Sequence, residues 1–186
     1  MRTSELARTT PLKRTPIKRT RKRPTTKVQP RPCSVRGCTK TTAPVIVGPD
    51  ERYCEKHGTA RADDAVREWF RYRYPRCAAC GRSDEGTQWA HIHTRDMRYI
   101  RWDTRNAVSL CARCHFAYTK RPAAWVKWVE LNYPGLYTRL LHRELWGDRQ
   151  GGSVDAGLII RLYRAAMHTD APLVWQAPDP PDGEFR

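Results

Sequence analysis

The sequence predicts an α+β fold built from small metal-stapled units with flanking helices, and three observations predict it. Hydrophobic residues make up only 39% of the 186, and 14 prolines and 11 glycines interrupt them. One large core is therefore not expected, and small units held by metal are. The seven cysteines fall into two blocks, Cys33 to Cys54 and Cys77 to Cys114, each with ligand-like spacing. A strand-like alternation at Trp89–His93 stands among several segments of helical periodicity.

The formal net charge is +16, which points to a polyanionic partner, most simply nucleic acid. An anionic membrane surface is the alternative. No apolar run approaches the roughly 18 residues of a spanning helix, and no basic amphipathic helix stands out. The N-terminus has no apolar h-region, and the prolines of its TPLKR and TPIKR repeats preclude the amphipathic helix of a transit peptide. An intracellular setting, cytoplasmic or nucleoid and not secreted, is expected, where cysteines hold metal rather than form disulfides.

Residues 1–32 read as a disordered basic tail, with eleven Lys/Arg against the single acid Glu5. Lys13, Arg14, Lys18, Arg19, Arg21, Lys22 and Arg23 are its expected phosphate grips. Residues 33–58 form a Cys/His knuckle: the C-x4-C pair Cys33/Cys38 followed by the C-x2-H pair Cys54/His57 suits a structural zinc with three sulfur ligands and one nitrogen. A linking helix is expected over 59–75, opened by Asp63 and Asp64, with Val66, Trp69, Phe70 and Arg73 on one face, and ended by Pro75.

Residues 76–121 hold the second cysteine block. Cys77/Cys80 and Cys111/Cys114 are two C-x-x-C turns that together make a closed four-cysteine zinc site. The two zinc sites consume every cysteine. Thirty residues separate the pairs, so the site brackets an inserted element, and function is to be sought there. CARCH also fits the attachment signature of c-type haem, but that reading orphans Cys77 and Cys80. Within the insertion, Trp89–His93 alternates so that His91 and His93 share one face of a strand. Arg95, Arg98, Arg101 and Arg105 line an approach of the kind phosphates favour. Asp103-x-x-Asn106 follows, and the second pair opens a helix carrying His115.

Residues 122–170 read as helical. One helix begins at Pro122, places Trp125, Trp128 and Val129 together and stops at Tyr133-Pro134-Gly135. LYTRLLHRELW forms a second. A third follows Gly151-Gly152, capped by Ser153, with Leu158, Ile159, Leu162 and Tyr163 on one face. The tryptophans could stack nucleobases, but a helical aromatic stripe is read as core. Residues 171–186, with four prolines, are a loose tail.

His91, Asn106 and His115, bracketed by the two C-x-x-C pairs, resemble an HNH endonuclease, a ββα-metal nuclease. The string D-x-x-N-x4-C-x2-C-H from Asp103 to His115 is the most specific part. The order of basic stretch, knuckle, helix, Cys-bracketed unit and helices is similar to the NinG (Rap) family of phage recombination endonucleases. The catalytic resemblance covers about Cys77 to Lys120, and the looser layout about Cys33 to Leu141. It implies a small ββα-metal unit and metal-dependent hydrolysis of DNA, duplex or branched. His91 would be the general base, with His93 the alternative. Asn106 would fix the histidine loop, and His115 would bind a catalytic Mg²⁺ or Mn²⁺. Ala90 departs from the family, which often carries Asp or His there as a metal ligand; His93, Asp103 or water would then complete the shell. Symmetric cutting of a junction would imply a homodimer, though no heptad announces one. The reading from another class is a catalytically silent zinc-binding nucleic-acid adaptor of the same fold.

Overall fold

The computed structural model describes residues 31–83, 86–167, 169 and 174–178. The basic tail to residue 30, with its seven expected phosphate grips, lies outside the described residues. The described residues are mixed α+β, with two two-stranded antiparallel ribbons and five α-helices. Among the described residues, no helix is long and apolar enough to cross a membrane.

The first ribbon pairs β1 (Val45–Ile46) with β2 (Arg52–Tyr53). It leads directly into α1 (Glu55–Arg73), which starts earlier than the expected 59–75. Cys54 is the N-cap and His57 lies in the first turn, so the knuckle's last two ligands belong to the helix. Asp63 and Asp64 are therefore mid-helix and open nothing. Gly58, Ala62, Val66, Trp69 and Phe70 form the buried face, while Arg73 is exposed. Gly58 is needed for the close approach: a Cβ there would lie 2.6 Å from Val45 Cγ2.

The second ribbon pairs β3 (Gln88–His91) with β4 (Ala107–Leu110), registering Trp89 with Ser109 and His91 with Ala107. α2 (Ala112–Thr119) follows at once, giving a ββα order. Side chains alternate across a strand, and both faces of β4 are buried. Trp89 and Ala107 join a hydrophobic cluster with Val66, Trp69, Ile159 and Tyr163. Ala90, Val108 and Leu110 join a second with Ile100, Val129 and Leu140. The ribbon is thus the wall between two cores.

α3 (Pro122–Asn132) and α4 (Leu136–Arg149) close the second core. Pro122 occupies the first turn, where its missing N–H costs nothing. Gly147 of α4 admits the Tyr99 ring, since a Cβ there would lie 2.1 Å from Tyr99 Cγ. α5 (Ala156–Ala166) packs along α1, with Trp69 and Tyr163 edge to face at 5.5 Å. Its cap is Asp155, which accepts from the Gly157 N–H at 2.8 Å, and not the expected Ser153. Its buried face is Ile159, Ile160 and Tyr163, with Leu158 turned outward. Part of the expected loose tail is also packed: Trp175 O accepts from the Thr104 N–H, and the Ala177 N–H donates to Asp103.

Candidate metal centres and active site

Both cysteine blocks converge. The ligand atoms of Cys33, Cys38, Cys54 and His57 lie within 4.8 Å of one another, as do those of Cys77, Cys80, Cys111 and Cys114. Cys38 and Cys54 sulfurs are 4.0 Å apart, and Cys80 and Cys111 sulfurs 3.8 Å. Such distances are far too long for disulfides. They match the edge of about 3.8 Å that a tetrahedron with zinc–sulfur bonds of about 2.3 Å requires. His57 offers Nδ1, 3.3 Å from both Cys33 and Cys54 sulfurs. The two clusters could hold zinc.

The same local device builds both. Cys54 and Cys111 are N-caps, with ψ near 160°, and His57 and Cys114 are the third helical residues after them. Cap and third residue face each other at a helix N-terminus, and the positive end of the dipole favours thiolate there. Burial raises the Cys33 thiol, but N–H donors from Val35 and Cys54 outweigh it and bring it down to about 6. Cys77 is likewise brought down to about 7 against its burial by donors from Cys111, Cys80 and Ala79. Burial and the neighbouring sulfurs push Cys114 up to about 12. Four sulfurs this close cannot all ionise unaided, and a dication is what lets them.

The inserted element carries the other chemistry. His91 ends β3, half-buried, and its Nε2 lies 3.0 Å from the Arg101 carbonyl. A carbonyl only accepts, so Nε2 carries the proton and Nδ1 keeps the lone pair. Burial pushes the His91 pKa down to about 4, so the ring is neutral across the physiological range. Arg101 is itself fixed. Its guanidinium forms a two-pronged pair with Asp63 of α1 at 2.6 and 3.0 Å, and Asp63 also accepts from Trp102 Nε1 at 2.9 Å.

Asn106 is fully buried and clamps the intervening loop. Its Oδ1 accepts from the His93 N–H at 2.9 Å, and its Nδ2 donates to the Ile100 carbonyl at 3.1 Å. Glu144 of α4 grips the same loop from the other side, accepting from the Tyr99 and Ile100 N–H groups.

His93 does not share a face with His91. The strand ends at His91, and His93 turns inward, 4% exposed, with Nε2 donating to the Tyr137 carbonyl at 2.8 Å. Its Nε2 is committed to a carbonyl just as that of His91 is, so what separates the two rings is burial, His93 being the less accessible. Asp103 is engaged as well: 1% exposed, it accepts from Arg105 and from the Ala177 N–H. Arg101 and Arg105, expected to meet phosphate, therefore hold Asp63 and Asp103 instead. Arg95 and Arg98 remain exposed. Arg95 stands over the Trp89 ring at 5.7 Å, and its charge adds to burial in lowering His91 and His115.

His115 sits on α2 just after Cys114. Its Nδ1 lies 2.7 Å from Gln88 Oε1, so Nδ1 donates and Nε2 is left with the lone pair. His91, His93 and His115 line one cleft of about 190 Å³, walled by Leu110, Tyr118 and Trp125. Trp125 is pinned there by its indole N–H on the Ile92 carbonyl at 3.2 Å. Two residues of this site, Asp63 and Gln88, carry no sequence signal; each is recognised only by what its side chain meets. No family model, no curated protein and no solved structure matches the chain.

Proposed function

We propose that the chain is a metal-dependent DNA endonuclease built on an HNH, or ββα-metal, unit, a phosphodiester hydrolase of the NinG-like kind found in phage DNA recombination. The observation that carries this reading is the pair of imidazoles in one cleft with opposite nitrogens committed. His91 gives up Nε2 to a carbonyl and keeps Nδ1, and His115 gives up Nδ1 to an amide oxygen and keeps Nε2. A binding module needs neither arrangement. A hydrolase needs both: a neutral base held in one tautomer, and an imidazole whose second nitrogen is oriented to ligate a cation.

In this reading His91 Nδ1 takes a proton from water as that oxygen attacks phosphorus in line, and the bond to the 3′ oxygen breaks. The products carry 5′-phosphate and 3′-hydroxyl ends. A base near 4 is weak for this task. A phosphodiester in the cleft brings a negative charge that favours the imidazolium and raises that value. Asn106 and the Asp63–Arg101 pair keep the ring in place through the loop, and Arg95 meets the phosphate from the open side. A divalent ion at His115 would neutralise the scissile phosphate and stabilise the departing oxygen. Among the described residues, no cluster of three His, Cys, Asp or Glu donors includes His115. Ala90 offers no donor and Asp103 is engaged by Arg105 and Ala177, so water and phosphate would complete the shell. A lone imidazole suits Mn²⁺ or a later transition ion better than Mg²⁺.

That sparse donor set also favours a second reading, a zinc-stapled nucleic-acid adaptor whose nuclease frame is silent. One experiment separates them: cleavage of supercoiled plasmid and of a four-way junction with Mn²⁺, Mg²⁺ or no added cation. The expected result is Mn²⁺-dependent nicking that falls about 100-fold or more in His91→Ala, with zinc content unchanged. A folded, zinc-loaded wild type that cuts nothing leaves the adaptor.

A further inference from the structure

A second groove, about 700 Å³ in volume, runs along β4 at Ala107, Val108 and Ser109. Tyr74, which ends α1, and Tyr133, which ends α3, both line it, 42% and 37% exposed. Each ring packs against the helix it ends, Tyr74 on Trp69 and Phe70 and Tyr133 on Trp128, and leaves over a third of its surface open to water. The two rings face one shared groove, drawn from the ends of two different helices. The floor is apolar, and Arg73 and Arg76 stand exposed at the rim. Neither arginine has a carboxylate partner among the described residues. Pro75 lines this groove and also a shallower channel reaching Gln88, the residue that holds His115.

We infer that this groove binds an unpaired nucleobase of a single-stranded nucleic acid, stacked by Tyr74 and Tyr133, with its flanking phosphates on Arg73 and Arg76. Aromatic faces beside cations are what a strand without a fixed sequence requires, because every base has a π-face and every linkage a negative charge. Duplex DNA cannot enter, since its bases are stacked and paired. The inference shares a nucleic-acid partner with the nuclease reading but needs no cleavage, so either can fail alone.

The test uses the full chain with both zinc sites loaded and no further divalent cation. The probe is a 12-nucleotide single strand carrying one 2-aminopurine, compared with a duplex of the same length. Wild type should quench the 2-aminopurine and bind the single strand. Tyr133→Ala should weaken that binding about tenfold and relieve the quench, and Tyr133→Phe should restore both. Arg73→Gln with Arg76→Gln should flatten the single-strand salt slope by about 1.4, the share of two phosphates. Duplex affinity should stay as it is in all variants. These substitutions are at the surface, and the Phe variant controls for folding. Unchanged single-strand binding and quench in Tyr133→Ala overturn the inference, and so does an equal loss for single strand and duplex.

Discussion

The two cysteine clusters use one device in two ways. In each, a cap residue and the third residue of a helix supply two ligands, Cys54 and His57 on α1 and Cys111 and Cys114 on α2. They differ in what the other two ligands bring. Cys33 and Cys38 lie close upstream in sequence, so the first site tidies a local hairpin and anchors the start of α1. Cys77 and Cys80 stand thirty residues before their partners, so the second site closes the loop that holds His91, Asn106 and the approach to His115. The lesson is that the same geometry stabilises an element in one place and assembles a site in the other.

The difference sets an order of consequences. Cys111→Ser should be the most damaging change, because structural zinc is folding free energy, roughly 10 kcal/mol or more per site, and here the cleft depends on it. Zinc content measured by elemental analysis should fall by one ion per chain, with loss of the near-ultraviolet signal of Trp89 and Trp125. A fully zinc-loaded, native-like variant would sink the four-cysteine assignment. Cys38→Ser should also release one zinc, yet keep the second site and residual cleavage. If it silences the protein as fully as Cys111→Ser does, the two clusters are not the local and long-range pair described above.

A finer probe is Asp63→Asn, which leaves both clusters untouched but cuts the link from α1 to His91. Removing one partner of a largely buried pair should cost about 3 kcal/mol of stability. By letting the Arg101 carbonyl drift, it should also slow the proposed cleavage about tenfold to a hundredfold. Chemical denaturation and single-turnover rates check the two parts separately. A rate loss with no change in kcat and only in KM would assign Asp63 to binding instead.

The smallest effect concerns pH. The folded His91 pKa of about 4 lies below its ordinary 6.5. Between those values the unfolded chain binds more protons, so stability is lost as pH falls from 6.5 towards 4. His91→Gln should flatten that stretch of the thermal-midpoint profile. An unaltered profile would mean the ring is more open to water than its neighbours make it.

Much of this was legible in the spacing of residues. C-x-x-C and C-x2-H at helix starts announce both clusters, because ligand spacing and cap geometry are local. The α2 start at Cys111 followed in the same way, whereas Asn106 as a loop clamp was implied only by the HNH resemblance. What was not legible depended on meetings between distant segments. Alternation put His91 and His93 on one face, but Asn106 and Tyr137 end the strand and turn His93 inward. Arg101 and Arg105 looked like phosphate ligands because nothing in the string says that Asp63 and Asp103 face them. Gln88 is an ordinary strand residue until α2 lays His115 against it. The α5 face was misplaced by one residue, since β1 and α1, not the helix itself, choose which side is covered.

The ribbon of β3 and β4 contributes side chains to both cores, Trp89 and Ala107 to one and Ala90, Val108 and Leu110 to the other. A wall shared in this way cannot melt on one side only. Scanning calorimetry should therefore record a single heat-absorption peak for the zinc-loaded chain, although its sequence reads as a string of separate modules.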